Sequence, residues 1–156
     1  MSCRAKQVLI VRRDLQMSKG ELVVQVTHAA SKALMKAISK EGRVDQLRTD
    51  PDDWVYLEAP EGQESPLTNW FQYDMAKIYV YVDSEEALLE LDRRARERGV
   101  TTALVQEDGL TEFPGEPIYT ALAWNPWRHP EPMDLSKGCP ASACESLTGG
   151  MKKPLD

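Results

Sequence analysis

"QVLIVRRDLQMSKGELVVQVTHAASKALMKAISK", residues 7–40, decides the fold. It opens on a continuous aliphatic run, Val8 to Val11, with no polar alternation, the pattern of a strand buried on both faces. A tight loop follows, and then a helix is signalled. Ser18 and Glu21 form an S-x-x-E capping box, with Met17 and Leu22 placed as its hydrophobic staple. Leu22, Val23, Val26, Ala29, Ala30, Ala33, Leu34, Ala37 and Ile38 then keep helical spacing, and Gly42 suits the stop.

Working outward, "KIYVYV" (77–82) reads as a second strand. Asp83 or Ser84 then caps "SEEALLELDRRARERG" (84–99), which has acids at its start, arginines near its end and Gly99 past the end, as the macrodipole favours. "TTALVQ" (101–106) and "PIYTALAW" (117–124) read as further strands, separated by the loop "EDGLTEFPGE" (107–116). This order predicts a single α/β domain over residues 1–126, a sheet with helices laid on it. The two strand–helix–strand crossovers predict parallel neighbours, and the short 107–116 connection predicts an antiparallel or mixed final strand. Residues 42–76 form an acidic insertion of eight acids and two arginines, in which "WVYLEA" (54–59) offers an extra strand. Residues 127–156 read as a Pro-rich, largely unstructured C-terminal tail.

With 156 residues, 42% hydrophobic and 28% charged, the chain has room for one domain with a true core. No apolar run approaches the roughly 18 residues that span a bilayer. "MSCRAKQVLIVRR" lacks a signal peptide's layout, so a cytoplasmic protein is expected. Three cysteines fit that compartment as reduced thiols, because "CPASAC" supplies one pair only and falls short of a zinc set. The net charge of −6 conceals a division. Residues 1–40 hold eight Lys/Arg against two acids, and the remainder holds eleven against twenty-three. Such asymmetry is compatible with an anion-binding face on an acidic body.

Ligands of α/β sheets gather beyond the carboxyl ends of parallel strands. That edge would collect residues 14–21, with Arg12, Arg13, Lys19 and the amides that open the helix as a natural anion seat. It would also collect the 107–116 loop, with Glu107, Asp108 and Thr111. Gln25 and His28 lie within one turn of each other on the helix between. Carboxylates able to activate water, beside amides and cations, suit hydrolysis of an ester attached to a polyanion. Each residue also has a plainer reading: His28 as a buried core histidine, Glu21 as a helix cap, Gln25 as partner of a loop carbonyl, Glu107–Gly109 as a turn. The chain has no G-x-x-x-x-G-K-[ST], H-E-x-x-H or G-x-S-x-G motif.

"VLIVRRDLQMSKGELVVQVTHAASKA" (8–33) resembles the opening of the type-2 peptidyl-tRNA hydrolases, patterned V-L-V-V-R-x-D-L-x-M-x-K-G-K-x-A-A-Q-x-x-H-A-A. "VDSEEALLELDRRARERGVTTALVQEDGLTEFPG" (82–115) is similar to that family's second helix and its D-A-G-x-T-[EQ]-x-x-P-G loop, and "IYTALAWNP" (118–126) to its closing strand. The likeness covers roughly residues 7–41 and 77–126, several motifs in the right order. Gln25, His28 and Thr111 match the family pattern, and Lys19 keeps the first lysine of K-G-K. Glu21 replaces the second, functional lysine. Glu107 aligns with the loop aspartate, with Asp108 in the place of alanine. Glu116 follows Pro114-Gly115 where the family has Thr or Ser, and the family's final helix has no counterpart in the tail.

The resemblance implies a four-stranded mixed sheet flanked by helices, and hydrolysis of the ester between a peptide and the tRNA 3′ end without metal or other cofactor. It leans the reading toward an enzyme, a divergent peptidyl-tRNA hydrolase whose partner is tRNA and not a membrane. Glu107 or Asp108 with Thr111 would position and activate the water. Gln25 would orient the ester. Lys19, Arg12 and Arg13 with the helix amides would bind the terminal phosphates, and His28 and Glu21 would border the substrate. The alternative is a catalytically impaired member acting as a tRNA-binding or protein-interaction module. Oligomeric state is left open, a dimer included.

Overall fold

The computed structural model describes residues 5–41, 65–73, 75–108, 113 and 115–127. Its elements are β1 (Gln7–Arg12), α1 (Lys19–Glu41), α2 (Pro66–Gln72), β2 (Lys77–Val82), α3 (Glu85–Glu97), β3 (Thr102–Glu107) and β4 (Ile118–Trp124). The strands make one mixed sheet in the order β2-β1-β4-β3. β1 runs parallel to β2 and antiparallel to β4, and β3 runs antiparallel to β4. The four strands and the two long helices lie where the sequence predicts them. The 54–59 strand, most of the acidic insertion, the tail beyond 127 and the three cysteines lie outside the described residues.

One expectation is corrected. The second crossover does not make β2 and β3 neighbours, since they form opposite edges of the sheet. The short connection lets β4 fold back on β3, and β4 is the most deeply buried strand, with Thr120 to Trp124 fully enclosed. Burial on both faces favours the middle of a sheet, so β4 inserts between β3 and β1. Sequence reading also missed α2, although Ser65-Pro66 is a helix start: Ser65 Oγ accepts from the Thr68 amide at 3.1 Å, with Pro66 in the first turn. Trp70 of α2 is buried, donating from Nε1 to Ala76 O at 2.8 Å.

The aliphatic run of β1 is buried on both faces. Val8 and Ile10 join Val80, Val82, Leu122 and Trp124 under Leu88, Leu91 and Ala95 of α3. Leu9 and Val11 face the other way, under α1. There Ala29 and Ala33 meet Ala103, Ala121 and Ala123. Alanine against alanine leaves only methyl groups between helix and sheet, so α1 lies close to β3 and β4. Ser84 Oγ caps α3 by accepting from the Ala87 amide. Gly99, with φ +77, closes it while the Val100 amide bonds back to Ala95 O at 3.0 Å. Among the described residues no helix is long and apolar enough to cross a membrane.

Candidate active site

The close approach of α1 to the sheet brings together side chains far apart in sequence. Gln25 is 1% exposed and faces β3 and β4. The Thr120 hydroxyl, itself fully buried, donates to Gln25 Oε1 at 2.6 Å. Gln25 Nε2 donates in turn to Glu21 Oε1 at 2.6 Å and to Glu107 Oε2 at 3.0 Å. The amide's two protons thus go to two carboxylates, and its oxygen takes the threonine proton. Two acidic groups, one from α1 and one from the end of β3, are held within hydrogen-bond reach of one nitrogen.

A bulge completes this arrangement. Val105 pairs with Ala121 and Gln106 with Tyr119, so Thr120 has no partner across the ladder. Strict alternation from Ala121, which faces α1, would turn Thr120 toward α3. The extra residue re-aims it toward Gln25 instead. Alternation along β3 is kept, and Glu107 shares the α1 side with Ala103 and Val105.

The loop ahead of α1 supplies the remaining polar groups. Ser18 Oγ accepts from the Glu21 amide at 3.2 Å, the Ser18 half of the capping box expected from the sequence, and Ser18 O accepts from the Leu22 amide at 2.9 Å. Lys19 is exposed at the helix start. Gln16 holds φ +49, an uncommon conformation for a residue other than glycine, with its amide bonded to Arg13 O at 3.1 Å. Beside this turn lies a groove of about 340 Å³ lined by Val11, Gln16, Met17, Leu22, Tyr79 and Tyr81, with Arg12 and Arg13 at its rim. Burial pushes the Tyr79 hydroxyl's pKa up.

Arg12 is not open to a phosphate. Its side chain is 11% exposed, and its guanidinium grips Asp14 at 2.7 Å and Glu85 at 2.8 Å while donating to Tyr119 O at 3.0 Å. Glu85 in turn accepts from the Tyr119 amide at 3.1 Å. These bonds, that to Asp14 foremost, raise the Arg12 pKa and make the residue a strut joining β1, α3 and β4. Arg13 is half exposed but engaged, paired with Asp83 at 2.7 Å and stacked on the Tyr81 ring at 4.2 Å. His28 is exposed on α1, which corrects its reading as a core histidine. Helical rotation explains it: the buried stripe runs Gln25, Ala29, Ala33 and Ala37, drifting about 40° per step, and His28 lies roughly 140° round from Ala33 on the solvent side. Asp108 is exposed beside Glu107, and Thr111 lies outside the described residues.

The structure thus joins Glu21, Gln25 and Glu107. It adds Thr120, which sequence reading missed because only the bulge aims it inward. Among the described residues no group of three or more His, Cys, Asp or Glu is placed to hold a metal ion.

Comparison with known proteins adds the chemical context. The family described as "Peptidyl-tRNA hydrolase PTH2" matches residues 5–135. A protein of Thermococcus onnurineus named "Peptidyl-tRNA hydrolase" is 36% identical over 123 residues, 79% of this chain and 85% of its own. One of Thermococcus sibiricus with the same name is 38% identical over 121 residues, 78% of this chain and 83% of its own. The "Probable peptidyl-tRNA hydrolase 2" of Dictyostelium discoideum is 32% identical over 121 residues, 78% of this chain and 47% of its own.

Proposed function

The chain belongs to the peptidyl-tRNA hydrolase PTH2 family, and from that premise we propose that it hydrolyses the ester joining a peptide to the 3′ end of tRNA. The observation that carries the site is the Gln25 amide held between Glu21 and Glu107 with Thr120 behind it. Glu107 is the general base. One of its oxygens is anchored by Gln25, which leaves the other to hold a water and take its proton as the water attacks the ester carbonyl. Gln25 sets where that base stands, and its amide can do so because Thr120 and Glu21 keep it from rotating freely. Lys19 and the amides at the start of α1 receive the terminal phosphate and the developing oxyanion. His28 borders the bound substrate, Thr111 acts with Glu107 in positioning the water, and Asp108 sits beside the base without replacing it.

Arg12 and Arg13 contribute through structure, by fixing the end of β1 and the loop that leads into α1 and Lys19. Glu21 stands where the family pattern has lysine, placing a second carboxylate where an anionic substrate approaches. The reaction belongs to translation, so the cytoplasm is its place of work.

A hydrolysis assay on N-blocked aminoacyl-tRNA, run beside free aminoacyl-tRNA, tests this reading. Release of the blocked amino acid, with the free one retained, is the expected result. Binding without release would instead select a tRNA-binding protein that has lost its chemistry.

A further inference from the structure

A second basic surface lies far from the site. Lys36, Lys40 and Arg96 line a groove of about 580 Å³ between the second half of α1, the end of α3 and the start of β3. Lys36 Nζ donates to Thr102 O and Lys40 Nζ to Thr101 Oγ1, both at 3.0 Å. Each ammonium has three protons, so these single bonds hold the cation against the groove wall with donors to spare. A carboxylate beside them, Asp92, is buried, bonded by the Thr102 hydroxyl at 2.5 Å and paired with Arg96 at 3.0 Å. Lys32, Lys36 and Lys40 stack at successive four-residue steps along α1. Like charges at that spacing destabilise a helix, and no acid of the helix's described side chains intervenes. Positive charge is therefore concentrated there on a chain whose total charge is −6.

The groove is aligned with the site. Eleven residues are close to three helical turns, so Lys36 lies on the same side of α1 as Gln25, about 16 Å along, with Lys40 about 6 Å further. Both flank β3, an edge strand whose end carries Glu107 and whose start carries Thr102. A polyanion with its terminus at Gln25 and Glu107 can run along that edge into the lysines. A strand of stacked nucleotides advances about 3.4 Å per nucleotide and covers this distance in roughly five to seven.

We propose that the Lys36–Lys40–Arg96 groove binds the phosphate backbone of the tRNA acceptor arm, upstream of the ester. The proposal rests on the hydrolase reading for its direction along β3, but its test is a binding measurement. Deacylated tRNA is titrated into the full-length protein over a range of salt, for the parent and for Lys36→Gln/Lys40→Gln. The log–log salt slope should flatten by about 0.9 per lysine on duplex, or about 0.7 on single strand. Lys36→Arg/Lys40→Arg should restore the slope, which a merely structural role of the ammonium groups would not. In hydrolysis, the ratio of kcat/KM on full-length peptidyl-tRNA to that on a peptidyl-trinucleotide, too short to reach the groove, should fall at least fivefold in the glutamine variant. A folded double variant that keeps the parent's slope and ratio overturns the groove. A parent that binds tRNA with this lysine-dependent slope yet releases no peptide overturns the hydrolase reading and leaves the groove standing.

Discussion

Replacing Glu21 by lysine tests the electrostatics of the site most directly. In the parent, Glu21 and Glu107 each accept from Gln25 Nε2, at 2.6 Å and 3.0 Å. Two unit charges about 5 Å apart at an effective dielectric of about 20 interact by roughly 3 kcal/mol. Glu21→Lys turns that repulsion into attraction of similar size. It also takes one acceptor from Gln25 Nε2, since an ammonium cannot accept, while the bond from Nε2 to Glu107 that positions the base is kept. Glu21 is only half-buried, so solvent screens much of the energy, and only the part felt by the developing oxyanion reaches the rate. About 1.4 kcal/mol in the transition state is a tenfold rise in kcat/KM. The assay is steady-state hydrolysis of N-blocked aminoacyl-tRNA at fixed ionic strength, with denaturant unfolding alongside. Glu21→Gln, which removes the charge but keeps an acceptor for Gln25, should give part of the gain. A folded Glu21→Lys protein with unchanged or lower kcat/KM would refute the reasoning and show that catalysis here is built on the glutamate itself.

Thr120→Val removes the hydroxyl without changing the volume, strands a buried amide oxygen and should cost about 1–3 kcal/mol in denaturant unfolding; Thr120→Ser should recover most of that and of kcat, and an unaffected valine variant would deny Thr120 its positioning role. Arg12→Lys loses the fork that grips Asp14 and Glu85 and should cost about 2 kcal/mol, while the salt slope of tRNA binding stays where it was; a flatter slope would return Arg12 to the phosphate contacts. His28→Ala on the exposed side of α1 should shift stability by no more than about 0.5 kcal/mol, and a loss of several would restore the core reading. Hydrogen bonds from Arg93, and then from Arg94, hold the Glu90 carboxyl down to about 2 from its ordinary 4.5. A depressed carboxylate contributes stability that is fully present above the unfolded value and is lost as pH falls through the folded one. The stability difference between the parent and Glu90→Gln should therefore shrink as pH drops from 4.5 toward 2, and a constant difference across that window would refute the pairing.

The sequence by itself determined the elements. The aliphatic run of β1, the Ser18 cap, the alanine spacing of α1 and the acid-to-arginine gradient of α3 are local physics, carried by neighbours within a turn or a strand. Those patterns also placed Gln25 and Glu107 at one edge, because the helix after β1 and the loop after β3 both start beyond the carboxyl ends of strands read as parallel. Tertiary structure alone decided the strand order, since which strand takes the centre depends on the competition between hairpin closure and burial across the whole sheet. It decided that Arg12 is a strut, because Glu85 and Tyr119 come from elements more than 70 residues away. It decided that His28 faces out, through the rotation of α1 on its alanines. Above all it decided Thr120. A strand's alternation is readable from its residues, but a bulge is set by the ladder partner, and the one between Ala121 and Tyr119 turns this threonine from the α3 side of the sheet onto Gln25.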